Sequence, residues 1–395
     1  MADFALSSTL TAAAIVLAIF GAAAGLAWFA AARRLVLDRP NERSSHDRAT
    51  PRAGGLAVVL PWAFAILALG AAFGAEAMGM APAALYGFVG LTLLVFCMGL
   101  ADDLFSLPPL AKLAAQTAAA IGLVLIVGPI ERISAPYAEW VALGPLAAPL
   151  TVIGIVAFMN MFNFMDGLNG MAAGVGAVAS VSLAFIASLS GVAPVVWLAA
   201  LLTPAILGFL IFNAPDARLF LGDNGSQPLG FIFAGLAVIG ARAEPAPFSA
   251  YLLPMLFMPF VFDTTFTLVH RIIRKRNILR AHKEHLYQLL HQTGYSHGAV
   301  AALYGVATAF CAVGAMVMTI APVEAELSIL LATLPAFAGL GVFVLGRARK
   351  TGVLAAGSEP AVKADIPLDR IRRATGRPSA SRQSEDLAHR PTAAE

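Results

Sequence analysis

The sequence predicts an all-α fold, a polytopic membrane helix bundle with about eleven transmembrane helices. Hydrophobic residues make up 59% of the 395 residues, and the mean hydropathy is +0.80. Only 12% of the residues are charged, which is about half the share found in soluble globular domains. Eleven apolar runs follow one another along the chain, and most approach the roughly 20 residues that span a hydrocarbon core as a helix.

Each apolar run represents one predicted helix. The runs lie at about 9–32, 55–74, 83–101, 109–127, 149–162, 171–190, 193–213, 228–242, 248–270, 298–320 and 325–346. No Lys or Arg precedes the first run, so we expect it to be a retained helix, although small residues at its end resemble a signal-peptide cleavage site.

The basic residues predict how the bundle is oriented. Arg33 and Arg34 follow the first run, and cytoplasmic loops carry an excess of Lys and Arg. Alternation of the loops then places thirteen basic residues on the cytoplasmic side and only Arg132 and Arg242 outside. We therefore expect the N-terminus outside, the C-terminus in the cytoplasm and the basic face toward anionic headgroups or substrates.

The chain divides into two parts by composition. Residues 1–350 form one predicted integral membrane domain, whereas residues 351–395 are rich in Ala, Arg, Ser and Pro and have few large apolar side chains. Such a composition predicts a disordered tail. Cys97 and Cys311 both lie inside apolar runs, so the sequence indicates neither a disulfide framework nor a cysteine metal site.

Carboxylates collect on the side that the basic residues define as cytoplasmic. They are Asp38, Asp102, Asp103, Asp166 and Asp223. Asp102 and Asp103 end the third run, and adjacent carboxylates repel each other unless a divalent cation, a basic group or a proton lies between them. Lys112 could supply that charge from the fourth run. The alternative is a solvated pair at a helix end.

Two further stretches place polar groups at predicted helix ends. Asp223 lies in "FLGDNGSQPLGF", where small residues allow close backbone approach and a carboxylate suits Mg²⁺; the alternative is a capped turn. Asn160, Asn163 and Asp166 are spaced by three and share a broad helical face. Their amides and carboxylate could read a nucleobase or sugar, or could join helices by polar contacts.

The remaining polar stretches are basic. "DRPNERSSHDRATPRAGG", which starts at Asp38, has arginines suited to phosphate, although positive-inside charge explains them equally well. His282 and His285 lie in the basic loop after the ninth run, where the sequence offers no further suitably spaced zinc ligands. Asp263 lies inside the ninth run, and an intramembrane carboxylate is a candidate functional residue.

Together these motifs predict a basin at the cytoplasmic membrane surface for an anionic, metal-bound, nucleotide-like substrate beside lipid. Neither a Walker A sequence nor a dinucleotide fingerprint is present. Over about residues 33–297, six motifs occur in order: "DRPNERSSH", "TPRAGG", "GLADD", "NMFNFMDG", "FLGDNGS" and the "HL" loop. In these motifs the sequence resembles the polyprenyl-phosphate N-acetylhexosamine-1-phosphate transferases of glycosyltransferase family 4. That family includes phospho-N-acetylmuramoyl-pentapeptide transferase and the enzymes that start O-antigen and teichoic-acid chains.

The resemblance implies an enzyme of the bacterial inner membrane, dependent on Mg²⁺ or alternatively Mn²⁺, with its active site on the cytoplasmic face. Undecaprenyl phosphate would attack the β-phosphate of a UDP-N-acetylhexosamine and release UMP. Membrane lipids are further expected partners, nucleic acid is not, and a homodimer is an open alternative to a monomer.

The resemblance also implies roles for individual residues. Asp223 matches the metal ligand, Asp102 and Asp103 the acidic pair, and Asp38 an aspartate that helps to deprotonate the lipid phosphate. The other matches are His285 in the histidine loop, Asn163 and Asp166 at the nucleoside, Phe220 stacked on uracil, Asn213 nearby, and Arg52 in place of a lysine near the first Gly-Gly. We include Asn160 as a substrate-binding candidate because it shares the face of Asn163.

The sequence departs from the family pattern at two places. Asn169 stands where many members have Asp, and the histidine loop reads His285-Leu286-Tyr287-Gln288 instead of His-Leu-His-His. These differences favour the O-antigen-initiating branch over the peptidoglycan enzyme, which remains the alternative. A nucleotide-sugar transporter is a rival class, but transporters bind near the midplane and often show repeats, and the sequence shows neither sign. An inactive scaffold is disfavoured because Asp223 and the Asp102–Asp103 pair are present.

Overall fold

The computed structural model describes residues 2–38, 49–135, 138–244, 247–277 and 282–356. The prediction of a disordered tail falls almost wholly on residues outside these ranges, as does most of the arginine-rich stretch after Asp38. Contacts divide the chain into a unit from Met1 to Thr351 and a short second unit from Gly352 onward.

The described residues are mostly helical, as predicted. The helices are α1 (Ala2–Ala32), α2 (Gly54–Phe73), α3 (Pro82–Phe105), α4 (Pro109–Val127), α5 (Ala147–Phe164), α6 (Met171–Leu189), α7 (Ala193–Asn213), α8 (Asp223–Ala241), α9 (Leu252–Leu256), α10 (Met258–Ile273), α11 (Leu286–Gln292), α12 (His297–Met318), α13 (Glu326–Ala332), α14 (Leu334–Lys350) and α15 (Val353–Ala356). Two short antiparallel hairpins, which the sequence did not predict, add β1 (Leu37–Asp38) with β2 (Thr50–Pro51) and β3 (Arg132–Ala135) with β4 (Ala138–Ala142).

Nine helical segments of the described chain are long and apolar enough to cross a membrane. They are Thr9–Ala32, Gly54–Phe73, Pro82–Phe105, Pro109–Val127, Gly144–Phe164, Met171–Leu189, Ala193–Asn213, His297–Met318 and Val323–Lys350. The protein is therefore a multi-pass helical membrane protein. The count of eleven spans and the orientation of the termini stay predictions.

The eighth and ninth apolar runs are the two that do not meet these criteria. The eighth forms α8, whose first turns carry Asp, Asn, Ser and Gln. The ninth is divided into α9 and α10 at Phe257, close to Pro259 at the start of α10. Proline lacks the N–H that would continue a helix, which explains why the helix restarts there.

Helix α8 is the central element of the bundle. It packs along α3 and α5 and also contacts α2 and α7. All but one of its residues from Asn224 to Gly240 are buried. Because neighbouring helices surround it, its polar residues face protein rather than lipid.

Glycines bring the backbones of α2, α3 and α8 into contact at one end of the bundle. A Cβ on Gly55 would lie 2.1 Å from the carbonyl oxygen of Asn224, and a Cβ on Gly99 would lie 2.3 Å from that of Asp223. The Gly54 and Gly55 N–H groups donate to the carbonyls of Phe220 and Leu221, at 3.0 and 3.1 Å. Three motifs that are distant in sequence therefore meet at the first turn of α8.

Candidate active site

The site is built where the ends of α3 and α5 meet the starts of α2 and α8. We call Asp102, Asp103, Asp166 and Asp223 the carboxylate cluster. The sequence predicted these side chains to share one face of the membrane, and the structure brings them close enough to interact. Their partners, however, differ in kind.

Asp103 is held by the first turn of α8. Its carboxylate accepts from the backbone N–H groups of Asp223 (3.2 Å) and Asn224 (2.9 Å), and also from the Asn224 side chain. Arg52 Nε lies 3.1 Å from the same carboxylate. With only 1% of its side chain exposed, Asp103 is in effect the cap of α8, and its negative charge faces the positive end of that helix dipole.

Asp102 faces the opposite way, toward Lys112 and Asp223. Lys112 Nζ lies 2.9 Å from Asp102 and 3.9 Å from Asp223, so it joins the two carboxylates. The N–H of Leu107 donates to Asp102 Oδ1 at 2.8 Å, and the carboxyl of Asp102 lies beside that of Asp223. Asp102 is therefore part of the open basin, although it is adjacent to Asp103 in sequence.

Asp223 is half-buried at the centre of the cluster. Asn163 Nδ2 donates to it at 3.1 Å and also donates to Ser226 Oγ at 2.8 Å. Burial, together with the neighbouring carboxyls of Asp102 and Asp103, raises the pKa of Asp223 to about 7. A group that resists ionisation in this way is one that a bound cation would stabilise.

Asp166 follows the end of α5. Burial, together with the charges on Asp223 and Asp103, raises the pKa of Asp166 well above its usual range. None of the described residues donates a hydrogen bond to the Asp166 carboxylate, and part of the residue is accessible to solvent. It is thus an acceptor available to a ligand. Nearby, a Cβ on Gly167 would lie 2.1 Å from the Tyr287 hydroxyl, so this loop is tightly packed.

The cluster fits a magnesium ion in its chemistry. Within the described ranges, no three Asp, Glu, His or Cys side chains form a complete metal site. Mg²⁺ commonly uses only one or two protein carboxylates and takes its other ligands from water and substrate phosphates. Asp223 and Asp102, whose carboxylates carry like charges and lie close together around Lys112, would hold the ion.

Arg52 connects the cluster with the β1–β2 hairpin. Its Nη2 donates to the carbonyl of Asp103 at 3.1 Å, and its Nη1 lies 3.9 Å from Asp38. About a quarter of each of the Arg52 and Asp38 side chains is exposed. Both residues therefore lie at the edge of the basin, where the family resemblance implied a substrate contact for Arg52 and an acceptor-activating role for Asp38.

Two predicted substrate residues have protein partners instead. Asn160 Nδ2 donates to Gln116 Oε1 at 2.9 Å, and Gln116 donates to Gln227 Oε1 at 2.8 Å, which forms a ladder of amides between α5, α4 and α8. Asn213 accepts from the Gly170 N–H at 2.8 Å and donates to the Leu219 carbonyl at 2.9 Å. These contacts favour the interhelical alternative for Asn160 and a loop-fixing role for Asn213.

Phe220 is half-buried beside the start of α2, where its N–H donates to the Pro51 carbonyl at 2.8 Å. Its role at uracil stays a prediction. Asn169, which stands where the resemblance implies Asp in many members, donates from Nδ2 to the Pro215 carbonyl at 3.2 Å. A carboxylate cannot donate this bond, so the replacement has a local structural reason.

His285 lies beside the loop that ends α5. Its ring is 6.4 Å from that of Phe164 between centroids, and Nδ1 lies 3.1 Å from buried Asp263. The following Tyr287 donates from its hydroxyl to the Phe164 carbonyl at 3.0 Å. Burial, together with the neighbouring His285 ring and the positive charge of Arg271, lowers the pKa of His282 to about 4, so this second histidine is neutral at physiological pH.

Sequence reasoning did not place Lys112 or Asn224 among the site residues. Lys112 had been noted only as a side chain that could face the acidic pair, and Asn224 follows Asp223 directly. A single cation inside an apolar run was the signal for Lys112, since such residues usually have a partner. For Asn224 the signal was the Asn beside a predicted helix start, where side-chain caps are common.

Comparison with known proteins identifies the family. The model of glycosyl transferase family 4 matches residues 85–241. The chain is 31% identical over 262 residues to a probable undecaprenyl-phosphate N-acetylglucosaminyl 1-phosphate transferase of Bacillus subtilis, which covers 66% of this chain and 71% of that protein. It is also 31% identical to a decaprenyl-phosphate N-acetylglucosaminephosphotransferase of Mycolicibacterium smegmatis, over 65% of this chain and 69% of the relative.

A third relative matches a shorter part of the chain. The phospho-N-acetylmuramoyl-pentapeptide-transferase of Shouchella clausii is 34% identical over 210 residues, or 49% of this chain and 63% of its own. The matched family region contains α4 with Lys112, and it contains Asp102, Asp103, Asp166 and Asp223. The chain therefore belongs to the polyprenyl-phosphate N-acetylhexosamine-1-phosphate transferases, and it is a membrane-bound phosphosugar transferase.

Proposed function

We propose that the protein transfers an N-acetylhexosamine 1-phosphate from a UDP-sugar to undecaprenyl phosphate, and that this step starts an O-antigen or related cell-envelope polysaccharide. The carboxylate cluster, with Asp102 and Asp223 joined by Lys112, is the observation that supports this proposal most strongly. The relatives named for transfer of N-acetylglucosamine phosphate to a polyprenyl phosphate point the same way.

The reaction is a phosphoryl transfer. An oxygen of the lipid phosphate forms a bond to the β-phosphorus of the UDP-sugar, and the bond from that phosphorus to the bridging oxygen breaks. UMP leaves with the bridging oxygen and its electron pair. Because the reaction involves little covalent chemistry on the protein, catalysis depends on positioning and on neutralising charge.

The described residues can supply both the positioning of the substrates and the neutralisation of charge. Bound Mg²⁺ would neutralise charge on the diphosphate, and Asp223 and Asp102 are the residues that would hold it. Lys112 keeps these two carboxylates together, and Asn163 orients Asp223 with one amide hydrogen. Arg52, at the edge of the basin, is placed to contact a phosphate oxygen.

The proposed contacts to the nucleoside are made by hydrogen-bond acceptors in the basin. Asp166 has a free carboxylate for a ribose or uracil donor. Asn163 Nδ2 donates to Asp223 and Ser226, which leaves the side-chain oxygen of Asn163 as an acceptor for the nucleoside. Phe220 would cover one face of the uracil ring. Asp38 and His285 are proposed to act on the lipid phosphate side, at the cytoplasmic surface where a water-soluble donor meets a bilayer-borne acceptor.

The test is transfer in isolated membranes. Radiolabelled UDP-N-acetylhexosamines are supplied with undecaprenyl phosphate, with and without Mg²⁺, and the lipid product and UMP are measured. Asp223→Asn should abolish transfer while the protein still accumulates in membranes. Asp216→Asn, an exposed aspartate in the preceding loop, is the matched control and should retain activity. Normal turnover by Asp223→Asn at limiting Mg²⁺ would contradict the metal role.

The peptidoglycan enzyme is the second candidate, supported by the Shouchella clausii relative. A UDP-N-acetylmuramoyl-pentapeptide donor distinguishes it in the same assay. Product from that donor alone would replace the polysaccharide assignment. Uptake of UDP-sugar into vesicles without acceptor, and without UMP release, would instead indicate a transporter.

A further inference from the structure

Asp263 is a fully buried carboxylate inside α10 that the proposed reaction does not use. It is surrounded by donors from three helices and a loop. They are Thr267 Oγ1 at 3.2 Å, the Leu286 N–H at 2.9 Å, the Tyr287 N–H at 3.0 Å, the Tyr304 hydroxyl at 2.5 Å and His285 Nδ1 at 3.1 Å. An isolated buried charge would be strongly unfavourable, and this set of donors satisfies it.

The donor set defines the protonation of the His285 ring. An ionised carboxylate only accepts hydrogen bonds, so the nitrogen that faces Asp263 must carry a proton. His285 Nδ1 is therefore the N–H nitrogen, and Nε2 is the ring nitrogen that does not face Asp263. This is the way in which an outer carboxylate commonly fixes the tautomer and orientation of a functional histidine.

We propose that Asp263 is a positioning residue for the transfer reaction, which holds the His285 imidazole in the Nδ1–H tautomer with Nε2 presented to the substrate phosphates. This inference rests on the proposed function, because it assigns His285 to that site. Asp263 acts through His285 and does not itself touch the substrate.

The surroundings of the ring support orientation rather than simple filling of space. The His285 ring is stacked against those of His282 and Tyr287, at 5.1 and 5.7 Å between centroids. Asp263 also receives the first two N–H groups of α11, which starts directly after His285. Rotation of the ring and the start of this helix are thus fixed by the same carboxylate.

The rival explanation is that Asp263 only joins α10, α11 and α12. The two explanations differ in how Asp263 and His285 combine in turnover. If Asp263 positions His285, then His285→Ala already removes what Asp263 acts upon. The two losses should then not multiply, because residues that act as a unit are non-additive.

The first experiment is a double-variant cycle on the purified protein with a UDP-sugar and undecaprenyl phosphate. Asp263→Asn should lower kcat by at least about tenfold and leave the KM for UDP-sugar within about threefold. Asp263→Asn added to His285→Ala should lower kcat by no more than about twofold further. Multiplied losses, or a wild-type kcat in His285→Ala, would overturn the positioning role while leaving the transferase assignment standing.

A matched control is another buried carboxylate changed to its amide. Glu326 is buried at the start of α13 and accepts from Ser249 Oγ at 2.6 Å. Glu326→Gln should leave kcat unchanged. The midpoint of thermal unfolding is measured for both Glu326→Gln and Asp263→Asn, so that losses of kcat are compared at known stability. A loss of kcat in Glu326→Gln equal to that in Asp263→Asn would show a general effect of buried charge and would overturn the proposal.

The second experiment reads the tautomer in the wild-type protein and does not require Asp263→Asn to fold. The ¹⁵N shifts of labelled histidines in detergent micelles are recorded, and His285→Asn assigns the His285 signals. We expect a protonated Nδ1 and an unprotonated Nε2 at neutral pH. An Nε2–H tautomer would overturn the proposal whether or not transfer is detected, whereas absence of transfer with the expected tautomer would contradict the proposed function instead.

Discussion

The two adjacent aspartates at the end of α3 should fail in different ways when each is changed to asparagine. Asp103 accepts two backbone N–H bonds from α8 and faces Arg52 at 3.1 Å. Asp102 accepts one backbone N–H and pairs with Lys112, of which 30% is exposed. Charge-assisted hydrogen bonds contribute about 1.5–3 kcal/mol each, whereas a partly exposed ion pair contributes about 1 kcal/mol or less.

Asp103→Asn keeps one acceptor oxygen but loses the charge, so we expect a loss of about 2–4 kcal/mol in stability. Asp102→Asn should lose about 1 kcal/mol, which relief of repulsion from Asp223 partly offsets. The four tryptophans allow thermal unfolding in detergent to be followed by intrinsic fluorescence. At about 2 °C per kcal/mol for a chain of this size, Asp103→Asn should melt several degrees lower and Asp102→Asn close to wild type.

Turnover should show the reverse pattern. Asp102→Asn should reduce kcat by about two orders of magnitude in a protein that melts normally, since Asp102 faces the basin where charge must be neutralised. Asp103→Asn should lose activity in proportion to the fraction of protein that unfolds or in which the first turn of α8 is no longer capped. Equal melting temperatures for the two variants, or a wild-type melting curve for Asp103→Asn, would refute the division of roles.

The other predictions concern packing, the nucleoside and the loop after α5. Gly99→Ala should lower stability by about 1–3 kcal/mol in thermal unfolding, because its Cβ would lie 2.3 Å from a backbone oxygen of α8, whereas Gly90→Ala on the same helix meets nothing within 4 Å and should melt like wild type. Phe220→Ala should weaken inhibition by UMP and use of UDP-sugar by similar factors, and an unchanged UMP inhibition constant would remove Phe220 from the nucleoside site. Asn169→Asp should destabilise the loop by about 1 kcal/mol, since the Pro215 carbonyl loses its donor; unchanged unfolding together with higher turnover would contradict this.

Hydropathy predicted most of the membrane helices because every backbone polar group in lipid must be paired within its own helix. The runs that became α2 to α7 agree with the observed helices within a few residues. Hydropathy was less informative for the eighth and ninth runs. Enclosure by other helices permits polar residues in α8, and Pro259 divides the ninth run. A mean hydropathy over a stretch of sequence reports neither the enclosure nor the position of a single proline.

The cluster could be anticipated as a set but not in its contacts. Positive-inside charge placed Asp102, Asp103 and Asp223 at one face, and the structure brings them together. Which of two adjacent carboxylates caps α8 depends on the rotation of α3 about its axis, and the sequence does not specify this. The amides show the same difficulty, since Asn160 finds Gln116 on another helix while Asn163, three residues later, finds Asp223.

The enclosure of α8 has a consequence for biosynthesis. A segment that begins with Asp, Asn, Ser and Gln partitions poorly from the translocon into lipid alone. Its partners α2, α3, α4 and α5 are all made earlier. Helix α3 offers the cap from Asp103, and α4 offers the amide of Gln116. Insertion of α8 should therefore require docking onto helices already in the bilayer, so membrane integration of this segment and completion of the carboxylate cluster would be a single event.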